Sequence, residues 1–257
     1  MQFIETDIEK PLYRSPAIFS QFTALVAAES TRHGGVSKAP YASLNLGGST
    51  LDSPENVAEN NYRFFSALQV PLENVAKSHQ IHDDKILLVK EAGRFDGYDA
   101  LITNQANIQL AVTVADCTPI LIFDPVTSSV AAIHAGWRGT VKQIVAKTVV
   151  AMQNEFGANP KDLLAYVGTC IDECSFEVGQ DVSDHFEVSY KRFDPEKEKF
   201  FVDLKKANRD QLIASGLAPQ HIELSTYSTV LHNADYFSYR LENGLTGRML
   251  ATIGLKE

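Results

Sequence analysis

Two imidazoles and one thiol, His82, His134 and Cys117, stand at the ends of apolar segments, separated by 35 and 17 residues. Those separations are too long for a zinc finger or ribbon, but they suit ligands carried on neighbouring strand ends. Three nitrogen and sulfur ligands leave a fourth tetrahedral position for water or substrate, the form of a catalytic zinc site. The same trio could instead make a thiol nucleophile, with Cys117 attacking and His134 as its base. His79 lies three positions before His82. On a strand, odd separation sends the two rings to opposite faces, so at most one of them enters a given site. Cys170 and Cys174, four residues apart, are the only other thiols and could form a second ligand pair.

Each candidate sits in a telling local context. Pro119 follows Cys117 by two residues and cannot donate to a central sheet ladder, so a break or bulge is expected there, one that aims a side chain out of the sheet. Asp116 lies in the same stretch, and an isolated buried carboxylate is costly. The segment Val130–Thr140 (VAAIHAGWRGT) runs an apolar strand into His134, then a glycine-containing turn, then a helix. A strand, tight turn and helix N-terminus gather unsatisfied N–H groups and a positive helix end at one point, which suits an anion. Arg138 would add a planar fork of donors for phosphate.

The elements that must position these residues are legible as well. Ser53-Pro54 reads as N-cap and first helical position of a helix with Val57, Phe64, Phe65 and Leu68 on its apolar face. Ile86–Val89, Ala100–Thr103, Ile108–Val114, Ile120–Phe123 and Val130–Ile133 read as strands. Val141, Ile144, Val145, Val149, Met152 and Phe156 recur at helical spacing, and Gly157 stops them, so one long helix is expected directly after the His134 turn. A strand at Leu164–Val167, a helix at Lys205–Ala214 ended by Gly216, and strands at Ile222–Leu224 and Arg248–Ile253 complete the reading. The order is not a regular βαβ alternation, so an α+β fold with mixed sheets covered by helices is expected.

The chain has 257 residues, 44% hydrophobic and 21% charged, enough for one sizeable core without disulfides or a structural metal. Its 23 basic and 32 acidic residues give a net charge of −9. With no basic cluster, nucleic acid and anionic membrane are poor partners. Three cysteines are sparse and odd in number, which reads as reduced thiols in a cytoplasmic protein. The first residues lack a basic region followed by an apolar one, so no signal peptide is expected. The most apolar stretch, 108–123, is broken by Asp116 and Pro119 and is too short to span a bilayer.

Taken in order, Arg32–Ser37 (RHGGVS), Tyr41–Gly47 (YASLNLG), Gln80–His82, Asp99–Thr103 (DALIT), Ala115–Pro119 (ADCTP), His134–Gly139 (HAGWRG), Phe176–Gly179 (FEVG) and Tyr236–Arg240 (YFSYR) resemble the YfiH-type family. That family is long labelled "laccase domain" or multicopper polyphenol oxidoreductase. The resemblance runs from about residue 20 to the C-terminus. It implies one domain, 1–257, of two packed mixed β-sheets flanked by helices, layered α/β/β/α. It implies a zinc site at His82, Cys117 and His134. It also implies phosphorolysis of adenosine, inosine and methylthioadenosine to free base and sugar 1-phosphate, with some adenosine deamination. In that reading Arg138 holds phosphate, with Arg32 and Arg240 as further cations. Asp116 orients a ligand or shuttles a proton, and Asn45 hydrogen-bonds the ribose or base.

The older label calls for copper-dependent polyphenol oxidation. A multicopper oxidase needs a blue-copper centre plus a histidine-rich cluster. This chain has seven histidines, and only His82 and His134 lie in candidate motifs. A single zinc fits better, although copper competes well for such ligands. Two positions depart from the family pattern. Asp83, followed by Asp84, stands after the motif histidine where glycine is usual, and Ser225–Ser228 stands where many relatives carry a Cys-Thr pair.

Overall fold

In the computed structural model, which describes residues 10–256, the apolar runs become strands buried on both faces. The chain opens with β1 (Tyr13–Arg14) and β2 (Leu25–Ser30), then crosses a long segment without strand or helix before α1 (Pro54–Ala67). Seven strands follow: β3 (Val75–His79), β4 (Ile86–Leu88), β5 (Gly93–Asp96), β6 (Ala100–Thr103), β7 (Gln109–Val114), β8 (Thr118–Asp124) and β9 (Ser129–Ala135). After α2 (Trp137–Val141) and α3 (Ile144–Phe156) come β10 (Leu164–Val167), β11 (Glu177–Val178) and α4 (Gln180–Ser183). The chain ends with β12 (Lys191–Asp194), β13 (Lys199–Val202), α5 (Leu204–Ala214), β14 (Ile222–Leu224) and β15 (Met249–Leu255).

These strands form two six-stranded mixed sheets, ordered β1-β2-β15-β7-β3-β5 and β14-β10-β8-β9-β6-β4, and a small sheet β11-β13-β12. Alternation along each strand sorts the layers. Leu121 and Phe123 of β8, Leu101 of β6 and Ala132 of β9 point to the core between the large sheets, where they meet Leu110, Val112, Ala251 and Ile253. Ile120, Ile122, Ile102 and Ile133 point the other way, against Val145, Val149 and Met152 of α3 and Leu212 of α5. On the far side, Phe64 and Phe65 of α1 cover Ala28, Ala111 and Leu250 of the first sheet. The result is one α+β domain layered α/β/β/α, as expected. Strands covered on both faces read as continuous apolar runs rather than alternating ones. Among the described residues no helix is long and apolar enough to cross a membrane. The reading of the first nine residues as lacking a signal peptide lies outside the described residues.

The caps behave as read. The Ser53 hydroxyl accepts from the Asn56 N–H at the start of α1, and Gly157 closes α3 at φ 71°. Two local expectations need correction. The long helix does not follow the His134 turn directly. A five-residue helix, α2, comes first, and Gln143 at φ 61° breaks the chain before α3. Apolar periodicity runs across this break although Val141 of α2 packs toward the small sheet and Ile144, Val145 and Val149 of α3 pack on the second large sheet. The interruption near Pro119 lies earlier than expected, at Ala115–Cys117, where Asp116 takes φ 80°. Pro119 itself belongs to β8 and pairs with His134. Its carbonyl accepts from Gly168 just past the end of β10, where a Cβ would sit 2.7 Å from the proline Cγ.

Candidate metal centre and active-site cavity

The break at Ala115–Cys117 carries the chain from one large sheet to the other, and this crossing places the thiol. β7 ends at Val114 in the first sheet, and β8 begins at Thr118 in the second. Cys117 therefore stands at the common end of both sheets. His134, the penultimate residue of β9, points to the same end and is buried. His82 reaches it from the loop after β3, with its ring edge-on to His134 at a centroid distance of 4.8 Å. The three ligand atoms lie within 4.8 Å of one another. Gly136 makes room for them, since a Cβ there would come 3.0 Å from Cys117 Sγ and 3.3 Å from His82 Cδ2.

Asp99 fixes two of the three groups. Fully buried before β6, it accepts from the backbone N–H of Ile81 (3.2 Å), His82 (3.0 Å) and Asp83 (2.9 Å). Three successive N–H groups make a nest around the carboxylate, which accounts for His82 adopting φ 60°. Asp99 also bonds His134 Nδ1 at 2.8 Å, leaving Nε2 for the cluster. Burial would raise the Asp99 pKa, but the His134 ring and these N–H groups hold it below the usual carboxylate range. Burial would likewise raise the Cys117 thiol, yet His134 and His82 bring it down to about 6. Burial disfavours charge on His134, but Cys117 and Asp99 raise it to about 9.

One thiolate and two imidazoles are a donor set for zinc with an open fourth position. A carboxylate behind one histidine is the usual outer partner that fixes ring orientation. The residues present therefore fit such an ion. Cys170 and Cys174 do not join them. Cys170 is fully buried, with its thiol pushed up to about 11 by burial. Cys174 is exposed. Among the described residues this is the one group of three or more such side chains placed to hold a metal.

The cluster opens into a cavity of about 590 Å³. Arg138, Arg240 and Arg248 line it, together with Trp137, Phe176 and Tyr239. Arg138 is exposed and stacks its guanidinium on the Trp137 ring at 4.5 Å. Arg240 lies over Phe176 and donates to the Glu177 carbonyl at 2.9 Å. Asp116 also lines the cavity. Its carboxylate accepts from Thr229 Oγ1 at 2.5 Å and from the Arg240 N–H at 2.6 Å, and burial raises its pKa. The place behind a metal ligand that the sequence assigned to Asp116 is occupied by Asp99 instead.

Residues 26–256 match the family described as multi-copper polyphenol oxidoreductase laccase. The chain belongs to this family. A purine nucleoside phosphorylase of Bacteroides thetaiotaomicron is 34% identical, over 94% of this chain and 94% of its own. One from Deinococcus radiodurans is 38% identical, over 95% of this chain and 93% of its own. The crystal structure of YlmD from Geobacillus stearothermophilus, 34% identical, matches with a TM-score of 0.90 over 97% of this chain and 98% of that one.

Two residues that the family resemblance suggested for substrate lie elsewhere. Asn45 is fully buried; its Oδ1 accepts from Gly47 and Arg248 N–H, and its Nδ2 donates to Thr50 and Asp52. It holds the backbone of Arg248 and does not line the cavity. Arg32 pairs with Glu242 at 3.0 Å and donates to the Ala42 and Asn233 carbonyls, fastening two loops together. The departure from the family's glycine after His82 is absorbed locally. The left-handed residue of the turn is His82, and the Asp83 and Asp84 carboxylates pair with Lys142 and Lys147, away from the ligands.

The sequence reading passed over three contributors. Asp99 left a signal, a lone carboxylate before an apolar strand, which is costly unless partnered. Gln80 ties the loop before His82 to β7 through both the N–H and the carbonyl of Thr113, each at 2.8 Å. Arg248, 114 residues after His134, enters the cavity by tertiary packing alone.

Proposed function

We propose that this protein is a purine nucleoside phosphorylase whose single domain, 1–257, holds one zinc ion at His82, Cys117 and His134. It would convert adenosine, inosine or methylthioadenosine plus phosphate to free base and sugar 1-phosphate, with adenosine deamination as a second activity. The observation that carries this reading is a metal-type ligand cluster sharing one cavity with three arginines and three aromatic rings. The names of the relatives at about the same length agree with it.

The roles follow from position. Trp137, Phe176 and Tyr239 offer flat faces to a purine. Arg138, with Arg240 and Arg248 nearby, supplies charge-assisted donors for phosphate. Holding phosphate beside the nucleoside removes much of the entropic barrier to attack at the anomeric carbon. Asp116, half-buried in the cavity wall with its pKa raised by burial, would deliver a proton to the departing base. A zinc ion at the cluster would act as a Lewis acid and, for deamination, make water a better nucleophile. Copper could replace zinc at the same ligands, but the described residues hold no second ligand cluster of the kind a multicopper oxidase needs.

A second reading has its own observation. Cys117, His134 and Asp99 are ordered as nucleophile, base and orienting carboxylate, so a thiol hydrolase would use the same trio. Elemental analysis of protein purified without added metal, paired with a phosphate-dependent assay on adenosine, separates the two. One zinc per chain, lost in Cys117→Ser, with base release that requires phosphate, supports the phosphorylase. A metal-free enzyme inactivated by thiol alkylation supports the hydrolase and ends the first reading.

A further inference from the structure

A second cavity, of about 530 Å³, lies under α1 beside the edge of the first sheet. It shares no lining residue with the first, but the two flank one short loop. Gly47 and Ser49 face the metal-side cavity, and Gly48 and Thr50 face this one. We infer that the second cavity is a binding site for small organic anions, with Lys77 and Arg94 holding the negative head group and an apolar or aromatic body lying beneath α1.

The argument starts from sheet register. β3 and β5 run parallel with Lys77 aligned to Arg94. Aligned residues on neighbouring strands project to the same face, so two cations stand side by side. Val75, two residues before Lys77, packs against α1, and Phe95, next to Arg94, packs into the core between the sheets. Both cations are thereby directed to the α1 side. Like charges placed directly across a sheet are destabilising. Among the described residues no carboxylate pairs with either one. Lys77 Nζ instead donates to Asn61 Oδ1 and stands 5.3 Å from the Phe65 ring centroid. Burial and, after it, the neighbouring Arg94 push the Lys77 ammonium down to about 7.

Two carboxylates, Asp52 and Glu73, also line the cavity, and neither forms an ion pair with the two cations. Asp52 is engaged by Ser37 Oγ at 2.6 Å, Asn45 Nδ2 and the Ser53 N–H at 2.9 Å each, and Asn56 Nδ2 at 3.3 Å. Glu73 is exposed. An anion between Lys77 and Arg94 would relieve the repulsion and gain charge-assisted hydrogen bonds, bidentate from the arginine. Phe65, Val57 and Leu72 line the rest of the cavity and suit an apolar body. The geometry is independent of the chemistry at Cys117, so this site stands or falls apart from the proposed activity.

The probe is 4-bromophenyl phosphate, followed by anomalous diffraction from soaked crystals and by titration calorimetry on the full chain. Bromine density under α1, with the phosphate between Lys77 and Arg94, is the expected result. Lys77→Gln and Arg94→Gln should each weaken that binding by about tenfold or more, as expected for losing a charged partner. The neutral 4-bromobenzyl alcohol should not occupy the cavity. Without ligand, Arg94→Gln should melt no lower than the parent, because it removes a repulsion rather than a bond. Bromine confined to the Cys117 cavity or absent altogether, equal binding of the alcohol, unchanged affinity in the variants, or a marked loss of stability in Arg94→Gln would each overturn the inference.

Discussion

At the scale of single residues, the site separates holding from doing. Arg138 is exposed, rests on Trp137 and lines the cavity at the ligand cluster, so its removal leaves no hole in the core. Arg138→Ala is expected to keep fold and metal while losing phosphate-dependent turnover by roughly 10²-fold or more, in line with losing a preorganised charge-stabilising donor. Deamination, which takes water rather than phosphate, should suffer less. Parallel assays of both reactions, with metal content, check this; equal losses would remove Arg138 from the phosphate role. Asp99 presents the converse case. It touches no open space, yet it orients His134 and the His82 backbone. Asp99→Asn is expected to weaken metal binding by about 10- to 100-fold, the usual effect of altering an outer partner. Competition against a chromogenic chelator measures it directly.

At the scale of elements, α2 and α3 show how a site is fitted to a scaffold. The apolar face needs Ile144, Val145 and Val149 on the second sheet, while Gly136 must stay against Cys117. The break at Gln143 reconciles these two demands by reorienting the chain between the helices. A left-handed backbone costs a residue with a side chain roughly 1–2 kcal/mol, a cost glycine avoids. Gln143→Gly is therefore expected to raise stability by about 1 kcal/mol, or the melting temperature by about 2–4 °C, with metal stoichiometry unchanged. A thermal melt that moves downward would show that the Gln143 side chain contributes more than its backbone costs. Because α2 is only five residues long, the phosphate role proposed for Arg138 rests on its guanidinium and not on a helix dipole.

At the scale of the whole molecule, the site lies at the end of two sheets whose shared core holds them in register. Cys117 directly precedes β8, which pairs with the His134 strand β9 in the second sheet, whereas His82 lies in the loop that runs from β3 of the first sheet to β4 of the second, so closing the cluster depends on how the sheets pack. Leu121 is fully buried in that shared core. Leu121→Ala is expected to cost about 2–5 kcal/mol through lost transfer energy and a residual cavity. Urea unfolding at fixed metal loading gives the number. The same variant should bind metal less tightly if the sheets shift, and unchanged metal affinity would show that the loops alone hold the cluster.

How much was legible beforehand divides along the range of the interactions. Strands covered on both faces, the Ser53 cap and the Gly157 stop are local signals, written in neighbouring residues, and they read correctly. The clustering of His82, Cys117 and His134 was legible as well, because imidazole and thiol at strand ends are few in this chain and the motifs around them are specific to the family. Tertiary packing alone placed Asp99 behind His134, since the two are 35 residues apart and meet across a β6–β9 pairing. It also turned Asn45 and Arg32 from substrate contacts into scaffold, because burial and pairing depend on loops that the linear order does not bring together. Arg248 entered the cavity for the same reason. A sequence determines which side chains can do chemistry and which short segments can carry them. Their distances come from cooperative packing of whole layers, and no local pattern records that.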